Sequence, residues 1–156
     1  MVDKRIGEGA RALLFERLTD ESPRARTEPR PLRTHDARGL RASVLQRLML
    51  LLNTRATRPR PRDGRLTVLD YGLPDYSSQY TRDPGTRARL ASEITSAIAA
   101  FEPRLEVTRV AVEPLPTSER ALGVVIEGLL RSEHTTEPVS FSVPLNGSAG
   151  EEIQAS

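Results

Sequence analysis

The 156 residues suit a single domain, and the absence of cysteine excludes disulfides, thiolate metal sites and a cysteine nucleophile. The net charge of +2 hides an asymmetry: residues 1–92 hold 19 Lys+Arg against 11 Asp+Glu, and residues 93–156 hold 4 against 10. Hydrophobic residues make up only 37 %, so some segments are expected to bury little.

The start, Met1-Val2-Asp3-Lys4-Arg5-Ile6-Gly7-Glu8, lacks the apolar run of a signal peptide. The longest aliphatic run, Leu48-Met49-Leu50-Leu51-Leu52, is too short to cross a bilayer. The expectation is a soluble, cytoplasmic chain without membrane insertion. Leu14 and Leu18 on one stripe, flanked by Leu13 and Phe15, predict a short docking helix over 8–18. Residues 19–35 carry Pro23, Pro29 and Pro31 among charges with no period, and read as an extended arm. Residues 1–35 are therefore expected as a docking segment and flexible arm, 36–145 as the domain, and 146–156 as a polar, flexible tail.

From Asp36 to Asn53 the period is helical. Leu40, Val44, Leu48 and Leu51 form a stripe widened by Leu45, Met49 and Leu52, with Arg38, Arg41 and Arg47 on the other face. A basic loop with alternating prolines follows at 58–65. Leu66–Tyr71 suggests a short strand, ended by the turn residues Gly72 and Pro74. Asp83 then suits an N-cap and Pro84 the first helical position, and Ala91, Ile94, Ala97, Ile98 and Phe101 line a buried face.

Pro103 stops that helix and leaves Glu102 and Arg104 on the corner. Alone, this is an ordinary helix stop with two solvated charges. Yet a carboxylate at a helix C-terminus faces the negative end of the macrodipole, which makes Glu102 a candidate to await a cationic partner from outside. Beyond the corner the period becomes 2. Leu105–Val112 slips phase between Val107 and Val110, which suggests a bulge. Leu122, Val124, Ile126, Gly128 and Leu130 alternate in a second strand, and Val139, Phe141, Val143 and Leu145 in a third. Turn-rich stretches at 113–120 and 132–138 separate them, so an antiparallel meander follows, with Pro144 placing the third strand at an edge. The predicted class is α+β: two core helices on a three-stranded antiparallel sheet, plus the N-terminal docking helix.

Catalytic chemistry finds little support. His35 and His134 have no second ligand at metal-binding spacing, and phosphate-cradling and nucleophile-elbow motifs are absent. Glycosidase chemistry needs two carboxyls; Glu102 is a candidate acid, but Arg104 and Arg109 nearby favour its ionised form and no mate stands out. The arginine run at 58–65 lacks interleaved aromatics, which argues against nucleic-acid binding. No cofactor and no metal are expected.

Five segments together carry a resemblance. They are Leu14-Phe15-Glu16-Arg17-Leu18, Leu51-Leu52-Asn53-Thr54-Arg55, Tyr71-Gly72-Leu73-Pro74-Asp75, Phe101-Glu102-Pro103-Arg104-Leu105 and Val139-Ser140-Phe141. In this order the chain resembles the small baseplate wedge subunits of type VI secretion systems (the TssE family), related to phage-baseplate lysozyme-like proteins; the Glu-Pro-Arg corner is that family's named motif. The proline/arginine stretch at 56–65 and the tail after Leu145 depart from the pattern. The resemblance implies a non-enzymatic building block of a baseplate docked at the inner membrane. It would join the TssF and TssG subunits and meet the first ring of the contractile sheath. Partner contacts are then expected at Glu102, Pro103 and Arg104 and at Phe141, Ser142 and Val143. Two alternatives stand beside it: a phage or phage-like tail baseplate protein, and a glycan-cleaving enzyme using Glu102.

Overall fold

The computed structural model describes residues 10–11, 34–58, 66–76, 83–115, 121–132 and 135–145. Ala10–Arg11 (β1) pairs antiparallel with Thr34–His35 (β2). The two described residues of the expected 8–18 helix are therefore extended, and His35 belongs to a ladder and not to a structureless arm. The rest of that segment, the arm through residue 33 and the tail from residue 146 lie outside the described residues.

Helix α1 spans Ala37–Asn53. Asp36 starts it: Gly39 donates its backbone N–H to the Asp36 carboxylate at 2.7 Å, satisfying one of the donors that a helix start leaves free. Leu40, Val44, Leu48, Leu51 and Leu52 are buried, as the stripe requires. At the other end, Asn53 Nδ2 donates to the Met49 carbonyl at 2.9 Å and Thr54 Oγ1 to that of Leu50 at 2.6 Å. Helix α2 spans Pro84–Phe101 and begins at Asp83, whose side chain accepts from the Thr86 N–H at 2.7 Å and the Thr86 hydroxyl at 2.8 Å. Leu90, Ile94, Ala97 and Ile98 are its buried face.

Residues 66–71 are not a strand. Val68–Asp70 forms a single 3-10 turn, because Thr67 and Asp70 close a reciprocal capping box around it. The sheet is the antiparallel meander β3 (Leu105–Pro114), β4 (Leu122–Arg131), β5 (Thr136–Leu145), in that spatial order. The third strand starts earlier than its alternation suggested: Thr136 opens it and Pro138 lies opposite Leu129. The phase slip in β3 is a bulge. The register shifts between Val107 and Arg109, and Thr108 Oγ1 donates to the Glu127 carbonyl at 3.0 Å. Gly128 permits it, since a Cβ there would stand 2.4 Å from the Glu106 carbonyl oxygen.

Both helices lie on one face of this sheet, α2 against β3 and α1 against β5. One apolar core results, joining the two helix stripes to Leu105, Val112, Leu122, Val124, Ile126, Leu130, Val139, Phe141, Val143 and Leu145. Among the described residues, the corner between α2 and β3 and the outer edge of β5 lie at the margins of this core.

Candidate functional site

At the corner, the Glu102 N–H donates to the Ile98 carbonyl at 2.8 Å and ends α2. Leu105 N–H then donates to the Glu102 carbonyl at 3.1 Å, closing a turn with Pro103 exposed at its tip. The Glu102 side chain does not face solvent; the residue is 3 % exposed. Arg104 grips it with two parallel bonds, Nε to Oε1 at 2.7 Å and Nη2 to Oε2 at 2.9 Å. Arg47, one face of α1 away, brings its Nε to Oε2 at 3.1 Å. Arg104 Nη1 also donates to Ser43 Oγ at 3.1 Å, tying the corner back to α1. The Arg104 carbonyl accepts from the Arg131 N–H at 2.8 Å, tying it to β4 as well.

This corrects the sequence reading in one respect. The counter-charge to Glu102 comes from within the chain, because α1 crosses close enough to deliver Arg47 and Ser43 from a polar margin of its apolar stripe. The corner is thus a clasp between α1, α2 and the sheet. Arg47 and Ser43 were not singled out from sequence. The usable signal was their spacing of four, which stacks them on one side of α1.

Among the described residues, β5 forms one edge of the sheet and β3 the other. On β4 the odd-numbered residues address β3: the Arg131 N–H reaches the Arg104 carbonyl, and the Ala121 carbonyl accepts from Leu115 at 2.8 Å. Its even-numbered residues therefore address β5, where they meet the odd-numbered Leu145, Val143, Phe141, Val139 and Glu137. Ser140, Ser142 and Pro144 turn their backbone groups outward. Two of those outward carbonyls are occupied by α1: Arg41 Nη2 donates to Ser140 at 3.1 Å and Asn53 Nδ2 to Pro144 at 3.2 Å. The Arg41 guanidinium also lies 5.7 Å from the centre of the Phe141 ring. Phe141 and Val143 are buried, so neither offers a side chain to a partner; Ser142 between them is exposed.

A second charged cluster, missed from sequence, holds the 3-10 turn. Asp70 is buried and accepts from Arg58 Nε at 2.8 Å, Arg58 Nη2 at 3.2 Å, the Thr67 N–H at 2.8 Å and the Thr67 hydroxyl at 3.0 Å. The Arg58 hydrogen bond and that of the Thr67 amide hold its carboxyl well below the usual carboxylate range, against the opposing effect of burial. The Thr67-x-x-Asp70 spacing was the legible signal. A carboxyl lowered in the folded state contributes stability above its unfolded pKa of about 3.9 and loses it as pH falls through the lower folded value. The stability difference between wild type and Asp70→Asn should therefore stay constant from pH 8 to 5 and shrink only below about pH 4. Urea titrations across that range check it; a difference already shrinking at pH 6 would be incompatible.

Among the described residues, no three His, Asp or Glu side chains group as metal ligands, and no helix is long and apolar enough to cross a membrane. Residues 38–135 match the family model of the baseplate wedge protein gp25, which spans both helices, the clasp and most of the sheet. The chain belongs to the gp25 baseplate wedge family. The fold is shared with a solved structure at low identity. A tail lysozyme structure from Geobacter sulfurreducens is 21 % identical, with a TM-score of 0.50, covering 75 % of this chain and 99 % of that one. A chain of a type VI secretion system baseplate complex is 18 % identical, with a TM-score of 0.49 over 69 % of this chain and 94 % of that one. No curated protein sequence matches. Among the described residues of this gp25-family chain, the Glu102-Pro103-Arg104 corner, the β5 edge and the capped 67–70 turn lie at the margins of the apolar core.

Proposed function

We propose that this gp25-family chain is a structural subunit of a type VI secretion baseplate, located in the cytoplasm at the inner membrane. In this reading it joins the wedge through TssF and TssG and connects the wedge to the first ring of the contractile sheath. The family match carries the baseplate part, and the geometry of β5 supports the docking part. The outward N–H and C=O of Ser142, flanked by Phe141 and Val143, offer backbone pairing to a strand from another subunit. The corner serves the wedge through its shape: the Glu102–Arg104 clasp holds Pro103 outward as a fixed contact point.

The same clasp speaks against hydrolysis. Glu102 is buried and both its oxygens are engaged by guanidinium groups of this chain, so the carboxyl is not presented to a glycosidic oxygen. Purified protein should leave peptidoglycan uncleaved, and should be retained when TssF and TssG from the same genome are co-expressed with a tagged copy. Turnover that vanishes in Glu102→Gln would replace this reading with the lysozyme-like one. Co-purification with phage tail-tube proteins, and none with TssF and TssG, would favour a phage baseplate.

A further inference from the structure

The Glu102 cluster is unbalanced. Two guanidiniums, those of Arg104 and Arg47, share one carboxylate, which leaves one positive charge over. The two arginines are used differently. Arg104, 15 % exposed, places Nε and Nη2 on Glu102 and Nη1 on Ser43. Arg47, 35 % exposed, reaches Oε2 through Nε alone. Among the described residues it meets no second carboxylate, and its Nη groups form no hydrogen bond. Its terminal fork is left over near the surface, on a side chain that the bond to Glu102 already holds. Tyr71 belongs to the same place. Its ring packs edge-on against Phe101, with centres 5.2 Å apart. Gly72 follows at φ 107°, where a Cβ would stand 2.4 Å from the Thr54 oxygen, and this close approach to the end of α1 fixes the tyrosine's backbone. Burial pushes the pKa of the Tyr71 hydroxyl up, while the charges of Arg47 and Glu102 act on it in opposite directions. The hydroxyl is therefore a protonated donor within electrostatic reach of Arg47, and among the described residues it has no hydrogen-bond partner. Leu50, three residues beyond Arg47 and so its neighbour on the α1 surface, is 62 % exposed.

A cationic fork, a phenolic donor and an aliphatic neighbour at one margin of the core define an acceptor. One unbalanced charge calls for a monoanion, and the Nη donors of Arg47 with the hydroxyl of Tyr71 suit the two oxygens of a carboxylate. A phosphate dianion fits less well, because the Glu102 carboxylate on the other side of Arg47 repels its second charge. Leu50, once covered by a partner, keeps water from the new ion pair. We infer that Arg47, Tyr71 and Leu50 form a receptor for an aspartate or glutamate side chain of a protein partner, which completes the charge balance of the corner. The inference rests on the wedge reading, which makes TssF–TssG the probe. It gives the corner a chemical determinant where Pro103 supplies shape.

Immobilised wild-type protein, Arg47→Gln and Tyr71→Phe are compared for retention of co-expressed TssF and TssG. Arg47→Gln removes the extra charge while Glu102 keeps both bonds from Arg104, and Tyr71→Phe keeps the ring on Phe101 and loses only the hydroxyl. Both should melt near wild type. Arg47→Gln should retain at least tenfold less, equivalent to about 1.4 kcal/mol. Tyr71→Phe should retain about threefold less, as for one lost hydrogen bond. Arg47→Lys should fall between wild type and Arg47→Gln, since it keeps the charge without the fork. Undiminished retention by Arg47→Gln overturns the receptor and leaves the baseplate reading standing. Should Arg47→Gln melt far lower, Tyr71→Phe decides: weaker retention at an unchanged melt supports the receptor, and undiminished retention overturns it. No retention by wild type overturns the baseplate reading and the receptor with it. Sedimentation of wild type with phosphatidylglycerol vesicles, lost in Arg47→Gln, reassigns the site to a lipid headgroup and overturns the protein-partner inference.

Discussion

Glu102→Ala should destabilise the fold by about 3–5 kcal/mol, the range seen when one member of a buried ion pair is removed. The substitution strips Arg104 of both its carboxylate bonds while its side chain remains only 15 % exposed, and it leaves Arg47 facing the same vacancy. A guanidinium in that position can keep only its bond to Ser43 Oγ. Arg104→Lys should cost less than Arg104→Ala, because an ammonium retains the charge but cannot grip both oxygens in parallel. Urea unfolding with an unchanged m-value reads these differences directly. A Glu102→Ala protein within about 0.5 kcal/mol of wild type, the range of an ordinary surface change, would show that the clasp contributes nothing to the fold. The consequence for assembly experiments is practical. Failure of a Glu102 variant to join a baseplate reports on the fold first, so Pro103, exposed and outside the clasp, is the better position for testing contact at the corner.

The architecture was legible because hydrophobic period and capping chemistry agreed. Asp36 and Asp83 start the helices as their side-chain chemistry requires, and the apolar stripes of 40–52 and 90–98 face the core. The change from period 3.6 to 2 after Pro103 located the sheet, and the stumble between Val107 and Val110 is the bulge at Thr108. Leu66–Tyr71 misled because its β-branched, aliphatic composition resembles a strand. Two polar side chains three residues apart turn it instead, Thr67 and Asp70 outcompeting ladder formation. A similar local effect hid the start of β5: Thr136 and Pro138 look like turn residues, but Pro138 addresses the free edge and asks no donor of β4.

The corner was located by sequence and its energetics were not. The Pro103 stop and the two charges were visible, but nothing in the local sequence shows that α1 delivers Arg47 and Ser43 to within hydrogen-bond distance of a segment some sixty residues away. Long-range neutralisation of a charge is a property of helix packing, and a period fixes only which face is apolar. The buried state of Glu102 followed from that packing. The edge position of β5 was readable from Pro144 alone; that Arg41 and Asn53 already occupy two of its outward carbonyls was not.

On the reading proposed above, Ser142→Pro should weaken strand pairing with the sheath while leaving the fold nearly intact. The Ser142 N–H points away from β4, so its loss removes no bond of the β4–β5 ladder. Proline also favours extended geometry in the preceding residue, which Phe141 already has within β5. Pro138 and Pro144 occupy the same side of the strand without breaking it. The folding cost should therefore stay within ~1 kcal/mol, a shift of a few degrees in Tm for a chain of this size. For an incoming strand the effect is larger. α1 already takes the outward carbonyls on either side, leaving Ser142 as the residue that offers both a donor and an acceptor at the centre of the edge. A pyrrolidine ring there removes the donor and pushes a second backbone away. Thermal melts paired with retention of sheath subunits separate the two effects: a near-wild-type Tm with at least tenfold weaker retention is expected. Undiminished retention would place the sheath contact elsewhere, and a loss of Tm as large as that of a core deletion would mean that Ser142 donates within this chain after all.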